Sequence, residues 1–392
     1  MVQGKQQRFP GDLMAAQTPY SRQYIDEHDI DAVADVLRSD FLTQGPMVPQ
    51  FEERIAAITE ARYAIAVNSA TSGLHLAMMA LDVGPKSLVW TSANSFAASA
   101  NCALYVGAEV DFVDIDPTSY IITQETLIAK LENSKKKPDV LIVVHFGGLS
   151  CDMEKISEVC RRESIKLVED SSHAIGASYN GAPVGSCEYS DISVFSFHPV
   201  KIITTGEGGV ATTNDATLAK KMSSLRTHGI VREDLSARDK IEHPWLYEQR
   251  DLGYNYRLTD IAAALGISQI SKLHDSIKKR NEIADRYKRE LRDTEIQWQN
   301  WAHSAVSSYH LFVVRLPSSQ ERLRKFQALR AAGYLVNVHY IPIYHHPYYR
   351  ENGFESFSLD GTESYYRTAL SLPCFYKMSD KVIDEVSGIL KA

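Results

Sequence analysis

The chain has 392 residues, 44% of them apolar and 23% charged, with a formal net charge of −7. These figures fit a globular protein of two domains and exclude a disordered chain or a fibre. The acidic balance argues against a binder of nucleic-acid backbone, which carries a basic surplus.

No apolar run approaches the ~18 residues of a membrane helix. The longest strand-like run is Val140–Val144. No apolar segment of signal-peptide type opens the chain. The five cysteines, at 102, 151, 160, 187 and 374, are odd in number and scattered, with no CxxC among them. That usage fits free thiols in a reducing cytoplasm, with neither a membrane nor a nucleic acid as partner.

Residues 1–17 are polar and irregular and read as an N-terminal extension. Asp26 to about Arg38 has helical spacing, with Ile30, Val33, Val36 and Leu37 on one face. A turn at 42–46 leads into a second helix, opened by Pro49 and running to Ile58. Short apolar runs then alternate with helical stretches. The expected strands are 64–67, 87–91, 109–113, 140–144, 166–169, 192–196 and 209–213. The expected helices between them are 72–81, 95–106, 125–131 and 153–163. Strands that are apolar throughout, with helices between, imply a mainly parallel central sheet covered on both faces, an α/β fold.

The text changes after Leu258. One long helical stretch runs from Thr259 to about Arg292, and its charged segment 278–286 reads as a solvated face. Strand 310–316, helix 321–332, strand 334–339 and helix 380–390 follow. The expectation is a large domain over 18–255 and a smaller α+β domain over 256–392.

Three strand ends carry chemistry. The first is Val67-Asn-Ser-Ala-Thr-Ser-Gly73. It places Thr71 and Ser72 at a helix start, either as a plain cap or as a phosphate cradle. The second is Leu167-Val-Glu-Asp-Ser-Ser-His173. There Asp170 either caps the next turn or faces a cationic ring nitrogen, and both readings stay open. The third, Val194-Phe-Ser-Phe-His-Pro-Val-Lys201, precedes a glycine-rich turn at 206–209. It delivers Ser196 and then Lys201, an amine suited to attack a carbonyl once desolvation has lowered its proton affinity. Phe96 starts a helix after another strand and is either a ring-stacking group or core.

The text resembles the DegT/StrS family of pyridoxal-phosphate nucleotide-sugar aminotransferases, a fold type I group. Phe195–Lys201 with Gly206-Glu-Gly-Gly209, Glu169–His173 and Gly253-Tyr-Asn-Tyr-Arg-Leu-Thr-Asp260 carry the resemblance, which spans about Tyr20 to Leu390. Ile202 stands where many relatives have proline. The resemblance implies that Lys201 holds pyridoxal 5′-phosphate covalently and acts as the catalytic base. It implies that Asp170 pairs with the ring nitrogen, that Phe96 stacks on the ring and that His173 lies near the ring hydroxyl. Thr71, Ser72 and Ser196 would bind the phosphate, and Asn255 would reach the phosphate of a neighbouring subunit, so the active unit would be a homodimer.

Within the family, the likeness is greatest to the branch that serves pseudaminic acid synthesis. It rests on Tyr20 with Asp40–Gly45, on Asn68–Ser72, and on Val338–Tyr344 followed by Ser371–Cys374. That likeness implies transfer of an amino group from glutamate to the 4-keto carbon of a UDP-linked 4-keto-6-deoxy-N-acetylhexosamine. Tyr20, Phe41, Thr43, Ala70, Asn337, His339 and Tyr340 would line the pocket. A UDP-4-keto-pentose or a dTDP-4-keto-6-deoxyhexose is the alternative substrate. A same-fold dehydratase is disfavoured by Lys201, because the known ones carry histidine there. A non-catalytic sugar-binding protein is disfavoured by Lys201 and Asp170 together.

His339, His345 and His346 match no familiar metal spacing and read as sugar contacts or surface. Lys135-Lys-Lys137 reads as an exposed loop. Arg226, His228 and Arg257 are weaker candidates for substrate contact.

Overall fold

The structure is a computed structural model and describes residues 17–231 and 243–392. The expected extension 1–17 therefore lies outside the described residues, except for its last position.

Seven strands form the central sheet: β1 (Tyr63–Val67), β2 (Leu88–Ser92), β3 (Glu109–Val113), β4 (Val140–Val144), β5 (Lys166–Asp170), β6 (Ile192–Ser196) and β7 (Gly209–Thr213). Their spatial order is β1-β7-β6-β5-β4-β2-β3. The pairs β2·β3, β2·β4, β4·β5 and β5·β6 are parallel. Strand β7 runs antiparallel to both β1 and β6, with Gly209 opposite Val67 on one side and Ser196 on the other. The ends of β1, β5 and β6 thus share one edge with the start of β7.

The apolar runs are divided between two cores. Leu141 and Val143 of β4 point into one cluster with Trp90, Leu167 and Ile156. Val140 and Ile142 point into the other with Val89, Val168 and Val194. Helices α5 (Gln124–Glu132) and α6 (Met153–Glu163) cover the first face, through Leu127 and Ile156. Helices α3 (Ala70–Ala80), α4 (Ala98–Tyr105) and α7 (Ala216–Leu225) cover the second, through Leu74, Cys102 and Met222. A strand buried on both faces needs no polar alternation, which is why these segments read as continuous apolar text.

Four expectations change. Helix α1 (Glu27–Arg38) forms, but only Val36 of its expected face is buried; Ile30 and Leu37 are 51% and 58% exposed. Second, the long stretch from 259 is two helices, α8 (Asp260–Ile270) and α9 (Leu273–Leu291), broken at Ser271–Lys272. Third, Tyr334–Leu335 alone is strand, pairing with Thr18–Pro19, because residues 337–340 leave the pairing to wall a cavity. Fourth, helices α7 and α11 (Asp360–Thr368) and strand 369–372 are additional elements.

Helix α2 (Met47–Thr59) packs with α8 against Phe195, Phe197 and Val210, so α8 shares the core of the larger unit. The smaller unit has its own core. There α9, α10 (Ser319–Ala331) and α12 (Asp380–Lys391) cover a three-stranded antiparallel sheet of β8 (Gln297–Trp298), β9 (Phe312–Arg315) and β10 (Ala369–Leu372). Among the described residues no helix is long and apolar enough to cross a membrane. All five cysteines are free and buried.

Candidate active site

A cavity of about 1330 Å³ opens at the shared strand edge. Open α/β sheets bind ligands beyond the carboxyl ends of their strands. Tyr20, Ala70, Thr71, Ser72, Phe96, Asp170, His173, Ser196, Lys201, Asn337, His339 and Tyr340 all line it.

Lys201 follows β6 after a tight turn in which its N–H donates to His198 O (2.9 Å). Burial of its amine pushes the pKa from 10.5 down to about 8, and the charge of Asp170 opposes that shift. The neutral fraction at pH 7 is thereby roughly a tenth instead of a few parts in ten thousand. Such an amine can act as nucleophile or base.

Asp170 ends β5 and is buried. Its Oδ2 accepts from Ser99 Oγ (2.6 Å) and its Oδ1 from the Ser172 N–H (3.1 Å). The capping reading therefore holds, and the ring-nitrogen reading stays open. One oxygen caps the turn, while the carboxylate also lines the cavity. Ser99 and its partner Ser95 Oγ (2.6 Å) are missing from the sequence reading. Ser95 stands in the bend before α4 and Ser99 in its first turn, and their spacing of four is the only signal that could have found them.

Ser69 caps α3, accepting from the Ser72 N–H at 3.1 Å. No described group accepts from the N–H of Ala70 or Thr71. Free N–H groups at a helix start attract an anion. Gly209 lies against them: a Cβ there would stand 2.6 Å from Ala70 N and would fill the space an anion needs. The Ser72 hydroxyl, by contrast, is already committed to Asn68 Oδ1 at 2.6 Å. The donors left for a phosphate are the two N–H groups and the hydroxyls of Thr71 and Ser196.

His173 accepts from the Gly147 N–H at Nδ1 (3.3 Å), so Nε2 carries the proton and donates to Tyr340 Oη (3.1 Å). Burial first, then the charges of Lys201 and His339, hold its pKa well below 6.5. His339 donates or accepts at Ser371 Oγ (2.8 Å) and is pushed down to about 3 by burial and by Lys201. Tyr20 packs edge-on against it at 4.7 Å. Phe96 is 63% exposed on the cavity, so the core reading of that ring fails.

Phe41, Thr43 and Asn255 do not line the cavity. Phe41 is exposed, Thr43 bridges Thr259, and Asn255 bridges Thr227. Arg226 is tied to Glu52 and to Ala66 O, and the Arg257 backbone pairs with Val67, both away from the cavity wall. His228 has a positive φ of 64° and donates its N–H to Tyr254 O. His345 pairs with Glu363 at 2.7 Å, while His346 lines the cavity.

A lysine of lowered basicity, a buried carboxylate, an exposed ring and an empty-handed helix start, gathered at one sheet edge, define a fold type I pyridoxal-phosphate enzyme. The comparisons narrow this. Residues 23–391 match the family model described as "DegT/DnrJ/EryC1/StrS aminotransferase family", and the chain belongs to that family. It is a pyridoxal-phosphate-dependent sugar aminotransferase. It is 40% identical over 371 residues to the UDP-4-amino-4,6-dideoxy-N-acetyl-beta-L-altrosamine transaminase of Campylobacter jejuni strain 81-176, covering 92% of this chain and 93% of the relative. Among solved structures, Helicobacter pylori PseC, an aminotransferase of pseudoaminic acid biosynthesis, matches with a TM-score of 0.87 at 30% identity, covering 96% and 98% of the two chains. The sugar aminotransferase Spr1654 of Streptococcus pneumoniae in its PMP form, described as putative, matches with a TM-score of 0.88 at 30% identity, covering 95% and 98%.

Proposed function

We propose that the chain moves an amino group from glutamate to the 4-keto carbon of a UDP-linked 4-keto-6-deoxy-N-acetylhexosamine, the step that serves pseudaminic acid synthesis. The observation that carries this reading is the union, in one cavity, of the Lys201 amine, the Asp170 carboxylate and the free helix start at Ala70–Thr71. The likeness to the Campylobacter transaminase supports the sugar.

When bound, pyridoxal phosphate supplies an electron sink that stabilises negative charge on a carbon next to nitrogen. The remaining work falls to the chain. The N–H groups of Ala70 and Thr71 hold the phosphate, with the hydroxyls of Thr71 and Ser196 beside it. Asp170 keeps a proton on the ring nitrogen, and Phe96 covers the ring. The Nζ of Lys201 takes the α-proton from the amino donor, and in the second half-reaction it gives a proton to the sugar C4. Tyr340 Oη–H, its oxygen held by the His173 Nε2–H, is a donor beside the reacting atoms. Tyr20, Ala70, Asn337 and His339 wall the sugar side. Two half-reactions on one site give ping-pong kinetics.

The active unit in this reading is a homodimer located in the cytoplasm. Phe41, Thr43 and Asn255 stand outside their own cavity, which suits residues offered to the partner's. Mixing inactive Lys201→Ala and Asn255→Ala proteins should then restore activity, because a hybrid dimer holds one complete site.

The decisive test incubates purified protein with glutamate and a panel of keto-sugar nucleotides and reads products by mass. The UDP-4-keto-6-deoxy-N-acetylhexosamine should gain the amine fastest. Preference for a keto-pentose or a dTDP-sugar would overturn the substrate assignment.

A further inference from the structure

The cavity is larger than the chemistry at Lys201 requires. Its volume of about 1330 Å³ exceeds the ~300–1,000 Å³ usual for drug-sized ligands. Part of its wall is made by residues with no role so far: Asn101 on α4, and Tyr348 and Tyr349 in the short helix opened by Pro347.

These three side chains are held in different ways. Tyr349 is buried in an aromatic cluster with Phe112 and Phe354. That cluster fixes the short helix to the sheet through β3. Tyr349 Oη donates to Asn101 Oδ1 at 2.6 Å. The Asn101 amide is thereby oriented, and no described residue accepts from its Nδ2. Tyr348, the next residue along, is turned outward and is 58% exposed at the cavity. Its ring meets the Tyr349 ring at 5.5 Å with the planes 80° apart, a contact that engages at most one of its faces. An open aromatic face on a rigid support, close in the wall to a pre-oriented amide donor, suits a flat heterocycle with carbonyl groups on its edge.

We propose that Tyr348 and Asn101 bind the pyrimidine base of the nucleotide-linked substrate. The Tyr348 ring stacks on the base, and Asn101 Nδ2 donates to a base carbonyl. The inference rests on the sugar-nucleotide reading above and adds where that nucleotide is read.

Calorimetry on the holoenzyme tests it with two probes, UDP and inorganic pyrophosphate, which lacks the base. UDP should bind more tightly than pyrophosphate. Tyr348→Ala should weaken UDP about tenfold, as loss of one stacked base does, and leave pyrophosphate unchanged. Tyr348→Phe should keep UDP affinity. Asn101→Ala should weaken UDP several-fold, again without effect on pyrophosphate. Equal UDP affinity in wild type and Tyr348→Ala, in an enzyme that aminates the keto-sugar nucleotide, overturns this inference alone. A wild type that binds neither UDP nor the keto-sugar nucleotide overturns the substrate reading, and this inference with it.

Discussion

Ser99 Oγ donates to Asp170 Oδ2 at 2.6 Å, and Ser95 Oγ stands 2.6 Å behind it. A helix on one face of the sheet thus aims the carboxylate at the end of β5. Charge and aim can be separated by mutation. Asp170→Asn keeps the shape and removes the charge, and turnover should fall about 100-fold or more while pyridoxal phosphate still binds. Ser99→Ala removes one hydrogen bond to a charged group, typically about 1.5–3 kcal/mol, and should cost about tenfold or more in kcat. Steady-state kinetics on both variants checks this, and unchanged kcat in Asp170→Asn would remove the ring-nitrogen role.

Capture of the cofactor should report the basicity of Lys201. Only the neutral amine attacks an aldehyde, and the folded-state pKa is pushed down to about 8. The rate at which apo-protein takes up pyridoxal phosphate should climb about tenfold per unit up to pH 8 and then level off. Stopped-flow absorbance between pH 6 and 10 follows it. A rise that continues to pH 10 would mean an ordinary lysine. Lys201→Ala should take up no cofactor covalently and show no turnover.

Gly209→Ala should damage the phosphate cradle. The added methyl would stand 2.6 Å from both Ala70 N and Ser69 C, a contact the backbone cannot tolerate without moving. Pyridoxal-phosphate affinity should drop more than tenfold, with a lower melting temperature. Equal affinity by equilibrium dialysis would show that the anion sits elsewhere.

Acid should destabilise the apo-protein through three buried imidazoles. His339 is pushed down to about 3, mainly by burial. Burial likewise holds His173 and His310 well below 6.5, and their rings lie 4.4 Å apart. An unfolded histidine takes its proton near 6.5, so the unfolded chain binds more protons below that pH. Stability is complete above about 6.5 and declines as pH falls toward 3, on the order of 1 kcal/mol per unit for each group. Denaturant midpoints at pH 7 and 5 measure the slope. His310→Phe should make it shallower, and an unchanged slope would remove His310 from the three.

Much of this arrangement is legible in the sequence because burial on both faces leaves unbroken apolar runs. Val140–Val144 and Ile192–Ser196 have the same bounds in text and structure. The direction of a strand leaves no such trace, so antiparallel β7 reads like its parallel neighbours. Ile30 and Leu37 show that helical spacing identifies an apolar face without saying what covers it. The site is legible where residues are consecutive, as from Ser196 to Lys201. Ser99 reaches Asp170 across 71 residues, and Tyr340 reaches His173 across 167. Contacts of that span are set by the packing of whole elements, and the bare text contains only the two partners. Asn101 and Tyr348 belong to the same class.

Strand β7 lies between β1 and β6 although it is the last of the seven in the chain. During synthesis, β1 emerges almost 150 residues before the strand that joins it to the rest of the sheet. Until Gly209–Thr213 leaves the ribosome, β1 has no partner strand in the sheet, and the helix that follows β1 is held to the strand that delivers the lysine by side-chain packing alone. A nascent chain halted before that point would expose the unpaired edges of β1 and β6, so chaperone dependence should fall once translation passes β7.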